Sequence, residues 1–90
     1  MTKTGHALMI EARALRNRIL AGDLPAETVI LSWAAVARTC AKANNAYRAE
    51  FDARAKGTGY TRFENSQLDN LDREWWVARA QVETLARKVK

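Results

Sequence analysis

The sequence predicts an all-α fold: a long antiparallel helical hairpin with a shorter N-terminal helix packed on one end, resembling a three-helix bundle. Three observations carry this. Glycine occurs four times and proline once in 90 residues, too few for a chain of strands and turns. Three stretches show the apolar spacing of helices. Two short punctuation marks separate them, and no linker, repeat or biased tract breaks the chain, so residues 1–90 read as a single domain.

Helix 1 is predicted over about residues 5–21, with the stripe Leu8, Ala12, Leu15, Ile19 on one face. The first mark, Gly22-Asp23-Leu24-Pro25, offers a glycine just past a helix end and a proline at N1 of the next helix. Helix 2 is predicted over about 25–56, free of internal proline and glycine, a rod of roughly 48 Å at 1.5 Å per residue. The second mark, Gly57-Thr58-Gly59-Tyr60, precedes Thr61-Arg62-Phe63-Glu64, which has capping-box spacing. Helix 3 is predicted over about 62–88.

Two heptad seams join the rods. Helix 2 reads Trp33, Ala37, Cys40, Asn44, Tyr47, Phe51, and helix 3 reads Leu68, Leu71, Trp75, Ala78, Val82, Leu85, Val89. Folded back near residue 59, Phe51 meets Leu68, Tyr47 meets Leu71, Asn44 meets Trp75, Cys40 meets Ala78 and Trp33 meets Leu85. Asn44 is then expected to accept the Trp75 indole N–H. Helix 1 is about 25 Å long and is expected to leave the hairpin's distal half uncovered. That exposure, in a chain with neither disulfide nor metal to staple it, predicts a homodimer. A small core at the tip, closed by Tyr47, Phe51, Phe63 and Leu68, is the alternative.

Trp76 falls off the seam, beside Arg73 and Ala80. Two readings compete. Helix 1 covers it in a groove with Val29, Val36 and Val77, which is the preferred reading, or it anchors an interface as arginine-flanked aromatics do. The acids Asp69, Asp72 and Glu74 suit the first half of a helix, with Asp69–Arg73 and Glu83–Arg87 as pairs four apart.

Net charge is +5. Arg13, Arg16 and Arg18 in helix 1 and Arg87, Lys88 and Lys90 at the end of helix 3 approach one pole, forming a candidate surface for nucleic acid or another anionic partner. Arg38, Lys42 and Arg48 lie along helix 2. Helix 2 is too long for the second helix of a helix-turn-helix.

Chemistry is predicted absent. The single histidine, His6, lies in the first turn, and the single cysteine, Cys40, sits on the seam as a small hydrophobe. No metal ligand set, phosphate loop or cofactor motif is present, so no enzyme, cofactor, metal or small-molecule substrate is expected. No apolar run approaches the ~20 residues that cross a bilayer, and the N-terminus lacks a signal-peptide core, so a cytoplasmic protein is expected.

The expected function is therefore non-enzymatic docking on a macromolecular partner, a protein or a nucleoprotein complex. The docking candidates are Tyr60, Arg62 and Phe63 at the tip, with Arg54, Arg73 and Trp76 behind them. One concrete form is the phage- or mobile-element-type inhibitor of a host complex, such as an anti-CRISPR-like protein. The alternative is a basic DNA- or RNA-binding accessory protein that acts as a dimer.

Overall fold

A computed structural model describes residues 3–55 and 59–89. Lys56, Gly57, Thr58, Lys90 and the Val89 side chain lie outside the described residues. The chain forms α1 (Gly5–Leu20), a 3-10 turn (Ala26–Thr28), α2 (Val29–Ala55) and α3 (Arg62–Val89).

Local chemistry sets each boundary. Thr4 caps α1, its hydroxyl accepting the Ala7 N–H at 3.1 Å. The helix closes in a Schellman turn: Gly22 N–H reaches the Ile19 carbonyl and Asp23 N–H the Arg18 carbonyl, both at 3.1 Å. Gly22 has φ +76°, the conformation for which the motif selects glycine. Pro25 differs from expectation. It stands before a 3-10 turn instead of opening an α-helix, because Thr28 returns both its N–H (3.0 Å) and its hydroxyl (2.8 Å) to the Pro25 carbonyl. The α-helix proper then starts at Val29. At α3 the capping box forms as read: Thr61 N–H donates to Glu64 Oε1 at 2.7 Å, and Glu64 N–H to Thr61 Oγ1 at 3.1 Å. Glu64 is 3% exposed, and Arg54 at the end of α2 pairs with its other oxygen, tying the two sides of the hairpin turn together.

α2 is the central rod. α3 packs back along it, and every seam pair expected between them falls within one of two core clusters, Asn44–Trp75 apart. Trp33, Ala37, Cys40 and Ala78 are buried together, with Trp75, Val82 and Leu85 against them. Tyr47, Leu68 and Leu71 are buried together nearer the turn, with Phe51 and Tyr60 against them. Full burial of a residue such as Leu71 contributes about 1.5–3 kcal/mol.

α1 lies antiparallel to α2 and therefore parallel to α3. Its Ala12 packs among Val36, Cys40 and Ala78, and its Met9 lies with Ala43 and Tyr47. Gly5 comes so close to Tyr47 that an added Cβ would lie 2.7 Å from the ring, and its N–H donates to Glu50 at 2.7 Å. This corrects the expectation of a bare distal half. α1 begins abreast of Tyr47 and Glu50, so only the last turns of the hairpin extend past it. The tip closes on aromatics: Phe51 stacks on Tyr47 at 5.3 Å and meets the edge of Tyr60 at 5.8 Å between centroids. Tyr60, not Phe63, completes that core, and Phe63 is 70% exposed. The homodimer expectation loses the argument it rested on.

Two more contacts are corrected. Asn44 does not bond the Trp75 indole. Its amide donates to the Leu68 carbonyl at 3.1 Å, and its oxygen accepts from Arg48 at 2.7 Å. Trp75 is only half-buried, so its indole nitrogen needs no protein partner. Among the described residues, neither Asp69–Arg73 nor Glu83–Arg87 closes to salt-bridge distance.

Candidate functional site

Which side of the hairpin α1 occupies decides what remains open. Glu74 and Trp76 flank Trp75 on α3, each about 100° around the helix from it. α1 sits on the Glu74 side. Arg13 grips that carboxylate with Nε at 2.9 Å and Nη2 at 3.0 Å, and Arg16 adds a contact at 2.8 Å. The fork geometry holds the Arg13 guanidinium firmly charged: its pKa is raised mainly by the Glu74 hydrogen bond, against the opposing effect of burial. Trp76 is thereby left on the opposite side, 62% exposed, and Val77 is 54% exposed. The expected groove of Val29, Val36, Trp76 and Val77 does not form. Val36 is buried under α1, while Trp76 and Val77 face outward.

On the Trp76 side a cleft runs between α2 and α3. Its distal stretch, about 260 Å³, is lined by Cys40, Ala41, Asn44, Leu71, Trp75 and Trp76, with Asn45, Arg48 and Asp72 around it. It continues toward the other pole as a stretch of about 470 Å³ lined by Ala34, Ala37, Arg38, Ala41, Trp75 and Arg79. The floor is small and apolar, because α2 presents Ala34, Ala37 and Ala41 there. The α3 wall is aromatic, with Trp75 and Trp76 edge to face at 4.8 Å between centroids. Asn44 clamps the two helices from inside the cleft.

The candidate docking residues are not one surface. Arg73 and Trp76 share a face three residues apart. Phe63 lies 13 positions from Trp76, roughly 20 Å along the helix axis. Arg62 and Phe63 are exposed near the tip. Tyr60 is half-buried, its hydroxyl donating to Asp52 at 2.5 Å, which raises its pKa. Arg54 lies over the Phe51 ring at 5.7 Å while paired with Glu64. Both therefore hold the tip together.

The basic pole is likewise divided. Arg13 and Arg16 are engaged by Glu74. Arg18, Arg87 and Lys88 are exposed near the shared C-terminal end of α1 and α3. Sequence reasoning missed the grip on Glu74 and the roles of Arg48 and Arg79. Arg13 and Arg16, three residues apart on one helical face, carried the signal for the first, since such a pair is spaced to share one anion.

Cys40 is buried at the base of the cleft, and its thiol is pushed up to about 11, chiefly by burial and further by the nearby Glu74 charge. It is not a thiolate nucleophile near neutral pH. His6 is exposed on the first turn of α1. Among the described residues, no group of three His, Cys, Asp or Glu side chains gathers to hold a metal ion, and no helix is long and apolar enough to cross a membrane. Comparison with protein-family models, with curated proteins and with solved structures finds no match to this chain.

Proposed function

We propose that this chain is a small, non-enzymatic interaction protein that docks on a macromolecular partner through Trp76 and the α2/α3 cleft beside it. The exposure of Trp76 supports this reading most. A tryptophan left 62% exposed forgoes a large part of its burial energy, and large aromatics bordering a cleft with arginine neighbours are where interface energy concentrates. The buried, high-pKa Cys40 and the exposed, isolated His6 favour a binding role over a catalytic one. The tip residues Arg62 and Phe63 would be at most a secondary contact, since Tyr60 and Arg54 are committed to the tip. A phage- or mobile-element-type inhibitor that acts by occupying a host surface is one concrete form of such a protein.

Binding of nucleic acid through the basic pole is the weaker reading, because Glu74 engages two of its arginines. Capture of partners from the native host separates the two. Trp76→Ala should lose the partner by roughly tenfold or more, with little dependence on salt. Phosphate binding would instead weaken steeply with salt, and Arg18→Ala or Lys88→Ala would flatten that slope. A captured partner that survives Trp76→Ala unchanged would refute docking through this face.

A further inference from the structure

We infer that the cleft beside Trp76 receives an acidic amphipathic helix of a partner protein, an inference that rests on docking through this face. The hairpin itself shows how it takes a helix. On its other side α1 packs along α2 and reaches α3 at Ala78 and Glu74, with Ala12 where Cys40 and Ala78 keep the floor shallow, and ion pairs fix the helix at its flank. The open side repeats the first feature. Ala34, Ala37 and Ala41 form a floor low enough for a helix backbone to approach, and Trp75 and Trp76 form one wall. From Ala34 to Arg48 the cleft runs about 21 Å, the length of roughly four helical turns.

The charge on this side selects the occupant. Where α1 brings arginines to a carboxylate, the open side supplies the arginines itself. Arg38, Arg48 and Arg79 line the cleft, against Asp72 as the one acid among its lining residues. Among the described residues, Arg38 and Arg79 pair with no carboxylate, and Arg48 spends only its Nε on Asn44. The complement is a helix with an apolar stripe for the alanine floor and Asp or Glu on its flanks. A second copy fits poorly, because a two-fold interface sets this arginine rim against itself. A nucleic acid strand fits less well: the alanine floor gives sugars and phosphates nothing to bond, and of the two tryptophans Trp76 alone is open enough for a base to stack on.

A display library of amphipathic helices, about 18 residues or five turns long with randomised flanks, tests this directly. Selection on the folded protein should enrich Asp and Glu at the flanks. The enriched peptides should shift the indole N–H resonances of Trp75 and Trp76. The double variant Arg38→Glu, Arg79→Glu should bind them about tenfold or more weakly, and lysine-flanked versions should regain the loss. Both positions are exposed, so the double variant is expected to keep the helical circular-dichroism spectrum of the parent. Enrichment with no acidic bias, or no enrichment at all, overturns the inference. So does a single-stranded oligonucleotide, or self-association, that shifts the same resonances in place of the peptides. If Trp76→Ala abolishes partner capture while the double reversal leaves it intact, docking stands and the acidic helix falls. If Trp76→Ala leaves capture intact, docking through this face itself fails.

Discussion

Gly5 and Tyr47 set the distance between α1 and α2 at the distal end. Alanine is the better helix former by about 1 kcal/mol, so Gly5→Ala in an isolated peptide would stabilise the helix. In the protein the new methyl meets the ring of a buried tyrosine at 2.7 Å, and overpacking of this kind costs about 1–3 kcal/mol. Urea unfolding should therefore show Gly5→Ala less stable by about 1 kcal/mol, and Tyr47→Leu should remove most of that penalty in the double variant. Cys40 gives a second prediction, in pH. The unfolded thiol ionises near its ordinary value of 9.0, and the folded one near 11, so the native state holds the proton longer. Stability that is complete below pH 9 should fall as pH rises toward 11. Denaturation at a series of alkaline pH values should show a shallower fall for Cys40→Ala than for the parent, and a thiol reagent at pH 8 should modify the parent only as fast as the protein opens.

At the scale of elements, the attachment of α1 rests on apolar burial plus one buried-edge ion cluster. Glu74 is 16% exposed at its side chain and its arginine partners about a third, so solvent screens much of the attraction. Glu74→Gln should cost about 1 kcal/mol, with the loss of amide protection concentrated in α1, as hydrogen exchange would report. Much of this architecture was legible in the residues. Gly22 and the Thr61–Glu64 box announced their caps because turn chemistry is local. The seams announced the α2–α3 pairing because a period repeated over many residues outweighs single exceptions. The side chosen by α1 was not legible. Leu8, Ala12, Leu15 and Ile19 suit either groove of the hairpin, and the choice turned on one acid, Glu74, that reads on its own as ordinary surface charge. Asn44 misled for a related reason: its polar seam position was plain, but a helix carbonyl with a spare lone pair competes for its amide as well as any indole does. The candidate site suffered most, since whether Trp76 is covered depends entirely on that choice of side.

The whole molecule is a slender object of 49 × 25 × 19 Å in which each packed interface joins helices that follow one another in the chain. Beyond the apolar meeting of Ala12 with Ala78, the Glu74 cluster is the polar link between the first helix and the last among the described residues, over 58 and 61 positions. Such a topology has a low contact order, and chains of this kind fold in microseconds to milliseconds. Either neighbouring pair can nucleate without the other, so the order of assembly is free until the end. The α1–α3 bridge, made across so long a stretch of chain, is then expected to close last, after the transition state has formed. In stopped-flow mixing, Glu74→Gln should hasten unfolding and leave the refolding rate nearly that of the parent. A single carboxylate far along the chain would thus govern how long the folded molecule lasts, and hardly at all how quickly it arises.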